Sequence, residues 1–109
     1  MAFIIQAWRE FWLSHRLRRA IEKQAARLFD ITERKVVVEI LACSTFPLLE
    51  QRRAESLRVK LAILILSQGK QERFQEMLAL ATRDWRDVLM AADMGWPNWQ
   101  EILQRKGVW

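Results

Sequence analysis

From Phe3 to Phe29 the chain runs without proline or glycine, and Ile4, Trp8, Phe11, Trp12, Leu17, Ile21, Ala25 and Leu28 recur at intervals of three to five. That spacing predicts one long amphipathic helix over about residues 3–29. Asp30, followed three residues later by Glu33, reads as a capping box that opens a second helix reaching about Cys43. The β-branched run Val36-Val37-Val38 would also suit a buried strand, but no partner strand is visible elsewhere, so helix is expected. Ser44-Thr45-Phe46-Pro47 breaks the pattern, with Pro47 where a first helical turn tolerates it, and a third helix is expected over about 47–67. Its early part is charged on one face, whereas Leu61 to Leu66 is apolar all round. A helix that loses its polar face is buried on every side, so this is the expected central helix, with Leu57, Leu61, Leu64 and Ile65 at the middle of the core. Gly69 is its natural terminator.

The last forty residues repeat one stripe: Phe74, Met77, Leu78, Ala81; Trp85, Val88, Leu89, Ala92; Trp99, Ile102, Leu103. Three short helices over about 70–105 follow, divided near Thr82 to Asp84 and at Gly95-Trp96-Pro97. Asp84 and Asp87 are placed to cap the middle one, and Gly95 to end it. The fold class is therefore all-α, a single compact bundle of five or six helices in one domain spanning 1–109.

Within Leu57 to Asp93 the order is an apolar helix, Ser67-Gln68-Gly69, a helix with Phe74, Met77, Leu78 and Ala81, and then Arg83-Asp84-Trp85-Arg86-Asp87-Val88-Leu89. This segment, about a third of the chain, resembles small uncharacterised helical proteins of bacterial genomes, which carry Ser-x-Gly and an Arg-Asp-aromatic-Arg-Asp-Val-Leu stretch. The resemblance implies a bacterial source and a helical hairpin, and it carries no activity.

Composition changes the picture in three ways. Three glycines and two prolines leave little turn material for an all-β fold of this size. One histidine, one cysteine and no tyrosine leave few groups for acid-base, nucleophilic or metal chemistry near neutral pH. The net charge of +5 is uneven: residues 1 to 29 hold six basic groups against Glu10 and Glu22, a local +4, while the stretch from Gly69 onward has six of each sign. The basic character belongs to the N-terminal helix. Cys43, inside an apolar run, is expected to be a reduced, buried thiol. The opening MAFIIQAWREFW lacks a basic leader and breaks at Arg9 and Glu10, so a cytoplasmic place is expected.

Candidate catalytic groups are poorly placed. Ser14 and His15 are neighbours that point about 100° apart on a helix, and a dyad of His15 with Cys43 has nothing to activate the thiol. Asp84 and Asp87 lie one turn apart, with Asp93 as a further carboxylate, but a metal needs more ligands, and the plainer reading is a helix start with Arg83 and Asp87 paired. No phosphate loop, paired-cysteine motif or nucleophile elbow occurs. Neither a catalytic residue, a cofactor nor a metal is expected.

The N-terminal helix combines Arg9, Arg16, Arg18, Arg19, Lys23 and Arg27 with Trp8, Phe11 and Trp12. Those cations could contact nucleic-acid phosphates, although no helix-turn-helix accompanies them. A basic helix with tryptophans could also lie on an anionic membrane surface, a reading ranked below the others. The plain alternative buries Trp8, Phe11 and Trp12 in the core and leaves the arginines as a solvated face. Six tryptophans are many for so small a core, and tryptophan with arginine anchors interfaces. The expected function is therefore non-enzymatic: a protein that self-associates or docks on a larger protein through Trp96, Trp109, Trp99, Trp8 and Trp12, with nucleic-acid binding as the alternative. Trp96 and Trp109, off the Trp99 stripe, are the stronger anchors of the set.

Overall fold

A computed structural model describes residues 2–109, the side chains from Ile4 onward. Five helices follow one another: α1 (Ala2–Leu28), α2 (Ile31–Cys43), α3 (Arg53–Ser67), α4 (Gln71–Ala91) and α5 (Trp99–Arg105). No strand occurs among the described residues. The radius of gyration is 13.6 Å, close to the ~13 Å of a 100-residue globule, and one continuous apolar core serves all five helices.

The order of packing follows the hydropathy pattern. α3 lies between α1 and α4 and touches both, while α2 leans on α1. Val59, Leu61, Ala62, Ile63 and Leu64 are fully buried, so the stretch without a polar face is indeed the centre. Leu61 and Leu64 sit there as expected; Leu57 and Ile65 are only partly buried and pack at its margin. The Val36-Val37-Val38 run is helical, with Val37 and Leu41 turned to the core and Val36 to solvent.

Local chemistry explains the ends of the elements. Asp30 accepts a hydrogen bond from the Glu33 backbone N–H at 2.8 Å, which caps α2 where the sequence placed it. α3 starts six residues later than Pro47, because Phe46 and Leu49 are buried and the chain turns between them. The Leu49 N–H donates to the Phe46 carbonyl, with Pro47 second and Leu48 at φ 71° third in the turn, the pattern of a type II turn. A left-handed residue at 48 forbids a helix beginning at 47. Gln68 (φ 54°) and Gly69 (φ 80°) end α3, and the Arg73 side chain donates to the Leu66 carbonyl at 2.9 Å.

The C-terminal region divides where the sequence expects. α4 consists of two helical stretches joined across a break at Asp84, whose backbone is not helical (φ −152°, ψ 92°) and whose carboxylate accepts from the Arg86 N–H at 3.1 Å. α5 is the third helix. The expected Arg83–Asp87 pair does not form; Arg86 instead lies over the Trp85 ring at 5.4 Å. Trp85 is held by its indole N–H, which donates to the Pro47 carbonyl at 2.9 Å across the fold. α4 ends before Gly95: the Met94 N–H reaches the Leu89 carbonyl and the Asp93 N–H the Met90 carbonyl around Asp93 at φ 60°. That is a Schellman closure with aspartate in the position glycine usually takes.

Candidate interaction surface

α1 is 27 residues long, or about 40 Å at 1.5 Å per residue. Its two halves bury different things. From Ser14 onward one face, carrying Ser14, Leu17, Ala20, Ile21, Gln24 and Ala25, is buried against the bundle. Among the described side chains before Leu13 none is buried: Ile4, Ile5, Trp8, Phe11 and Trp12 are each 55–57% exposed. The plain expectation that Trp8, Phe11 and Trp12 belong to the core is overturned.

The cause is angular. At 100° per residue Ile4, Ile5, Trp8, Phe11 and Trp12 fall within one arc of about 120°, and Leu17 lies about 180° from Trp8. The aromatic stripe therefore points away from the face that the rest of the helix buries. Its rings pack on one another edge to face: Trp8 on Phe11 at 6.2 Å, Phe11 on Trp12 at 5.8 Å, and Trp12 on the His15 ring at 6.2 Å. His15 thus belongs to the aromatic row, and no hydrogen bond ties it to another residue among those described.

The basic residues continue the same outward arc. Arg19 and Lys23 each follow a stripe tryptophan by eleven residues, Arg18 follows Phe11 by seven, and Arg16 follows Trp12 by four, spacings that return to one side of a helix. Arg9 and Arg27 flank the arc, and all six cations are exposed. Glu10 is the single carboxylate between Ile4 and Ile21, and it faces the opposite way, into a cleft with Arg52, Arg58 and Trp99.

The C-terminus adds a third tryptophan. After α5, Gly107 (φ 77°) turns the chain so that the Val108 and Trp109 N–H groups both donate to the Leu103 carbonyl, at 2.9 and 3.2 Å. Trp109 then packs on Trp99 at 5.2 Å, and the Arg16 guanidinium covers it at 4.4 Å from the ring centre. Ile5, Trp8, Trp12, Arg9, Arg16 and Trp109 together line an open groove of about 640 Å³. Of the tryptophans expected at an interface, Trp8, Trp12 and Trp109 meet here. Trp99 is 6% exposed and is a core residue beneath Trp109, with the Arg58 guanidinium over its ring at 5.2 Å from the centre. Trp96 is 49% exposed but lies apart from the groove, in the turn before α5.

Other chemistry is sparse. Cys43 is exposed at the end of α2, not buried as its apolar neighbours suggested, because that helix turns only Val37 and Leu41 fully inward. Burial holds the Lys60 ammonium below its ordinary pKa, with the nearby Cys43 sulfur pulling weakly the other way; burial likewise lowers Arg58, against Glu55. Lys60 lines a cleft of about 520 Å³ between α1, α2 and α3, where Arg18 and Arg53 are matched by Glu22 and Glu50. Asp93 is engaged with Lys106 at 3.3 Å. No cluster of three or more histidine, cysteine or carboxylate side chains with metal-binding geometry occurs among the described residues. No helix among the described residues is long and apolar enough to cross a membrane.

Two features of this surface escape a reading by spacing alone, the reversal of face within α1 and the return of Trp109 onto Arg16. The first leaves a trace: the step from Trp12 to Leu17 is five residues, about 140° around the helix. The second depends on a turn at Gly107 whose direction only the fold defines. Compared with protein families, curated proteins and solved structures, the chain shows no match that would attach a function to this surface.

Proposed function

We propose that the chain works without catalysis, as a small accessory protein that attaches through the outward face of α1 to a larger body or to a second copy of itself. The observation that carries this reading is the orientation of the aromatic stripe. Five large apolar side chains, more than half exposed, share one arc of a helix that, from Ser14 onward, buries the opposite face. Side chains of 150–250 Å² for the aromatics leave an open apolar patch on the order of 500 Å², near the largest that an ordinary monomer shows and often a functional one. Trp109 and the arginines beside it complete the tryptophan and arginine pairing typical of anchors. A cytoplasmic place belongs to this reading, as does the bacterial source that the Leu57–Asp93 resemblance implies.

A second reading, nucleic-acid binding, rests on the exposed row Arg9, Arg16, Arg18, Arg19, Lys23 and Arg27. Light scattering with the 260/280 nm absorbance ratio separates the two, at low and high salt, on the natural chain and on a variant carrying Trp8→Ser and Trp12→Ser. A salt-resistant multiple of 13.0 kDa that the double variant reduces to monomer supports docking by self-association. A clean monomer moves the partner to a different body. An excess at 260 nm that salt removes, and that the double variant retains, overturns the docking reading.

A further inference from the structure

We propose that the body met by this surface is an anionic phospholipid bilayer, with Ile4, Ile5, Trp8, Phe11 and Trp12 entering its interface and Arg16, Arg18, Arg19 and Lys23 lying on its headgroups. The proposal rests on the docking reading above and names its partner. It stands on three observations. The first is the sequence of chemistry along one arc: apolar and aromatic side chains cover about 12 Å of helix, and basic ones the next 10 Å, at 1.5 Å per residue. An interfacial helix sinks its apolar side chains roughly 5–10 Å, and tryptophan favours the headgroup level. The cations that follow then lie where phosphates are. The second is the charge: with Glu10 turned to the bundle, Glu22 is the one carboxylate of α1 on the outward side, against Arg16, Arg18, Arg19 and Lys23, so an anionic surface is its electrostatic complement.

The third is shape. The inner side of the first half of α1 borders clefts with α3 and α5, so the arc from Ile4 to Arg16 is open to a flat surface, while Arg18, Arg19 and Lys23 are exposed at the rims of clefts between α1 and α2. A second copy fits less well. Two such faces bring together two segments of +4, and the apolar patch is smaller than the ~800 Å² per partner of a standard protein interface. Nucleic acid would use the cations but leave Ile4, Ile5 and Phe11 without a role.

The test is co-sedimentation with vesicles of phosphatidylcholine alone and of equal parts phosphatidylcholine and phosphatidylglycerol, at low and high salt. The natural chain should bind the anionic vesicles at least tenfold more strongly, and salt should weaken that binding. Trp8→Ser with Trp12→Ser should weaken it at least tenfold. Arg16→Gln, Arg18→Gln and Arg19→Gln together should weaken it on the order of a hundredfold; because Arg16 also covers Trp109, the Arg18/Arg19 pair alone serves as the second variant, with helical circular dichroism as the check on folding. Equal binding to both vesicles, binding to neither, or binding that the tryptophan variant leaves unchanged overturns the proposal. If the vesicles fail while the tryptophan variant still lowers the mass seen by light scattering, the docking reading survives and the lipid partner falls. If neither assay responds to the tryptophans, the lipid partner and self-association both fall.

Discussion

The two halves of α1 have the same backbone and comparable apolar content, yet opposite fates. Leu17, Ile21 and Ala25 disappear into the core, while Ile4, Trp8 and Phe11 stay in solvent on the other side of the same helix. A hydrophobic stripe thus reports that a helix has an apolar face and says nothing of what covers it. The coverage is decided by neighbours: α3 and α2 pack against α1, and the buried face begins at Ser14. What remains is a helix used twice, once to build the domain and once to present a surface.

The sharpest way to break this comparison is native-state hydrogen–deuterium exchange. A helical segment of about ten residues without tertiary packing is marginal, so amides from Ile4 to Trp12 should exchange through local fraying. Those from Leu17 to Leu28 should require opening of the bundle. The difference in protection should approach the global stability, about 5 kcal/mol or more for a domain of this size. Equal protection across α1 would mean that its first half is packed, and the division would be void.

Next in size is a pair of substitutions at matched apolar positions. Leu17→Ala removes a fully buried side chain and should cost about 2–5 kcal/mol in denaturant unfolding, through lost burial and a cavity. Trp8→Ser removes a larger side chain from the exposed half and should change stability by no more than about 0.5 kcal/mol. A tryptophan substitution as damaging as that of Leu17 would return the aromatic stripe to the core.

How much of this was legible in the sequence follows from which signals are local. The Asp30 cap, the all-apolar centre at Leu61–Leu64 and the stop at Gln68-Gly69 are set by residues within a few positions of one another, and all three stand. The start of α3 was misplaced because Phe46 and Leu49 seek the core and force a left-handed Leu48, a tertiary demand that outweighs the helical tolerance of Pro47. Cys43 was misplaced for a related reason: an apolar run says how much is buried, and helical phase says which residues. The site was half legible. Its residue types and the basic bias of α1 were plain, and the five-residue step from Trp12 to Leu17 held the change of face. The return of Trp109 onto Arg16 at 4.4 Å had no counterpart in any spacing.

The last contrast concerns what locks the buried half in place. Gly69 follows α3 at φ 80°, and a Cβ there would sit 2.6 Å from the Leu28 carbonyl oxygen at the end of α1. Glycine is needed twice over, for the left-handed backbone and for the approach of two main chains that clamp the C-terminal end of α1 to α3. Gly107 has a similar φ of 77° but nothing within 4 Å of such a Cβ. Gly69→Ala should therefore cost about 2 kcal/mol or more, the left-handed strain plus displacement of the α1 terminus, and Gly107→Ala about 1 kcal/mol from strain alone. Thermal unfolding of the two variants measures the difference. If they are equal, the contact with Leu28 contributes nothing, and the anchorage of α1 must be assigned to its side chains alone.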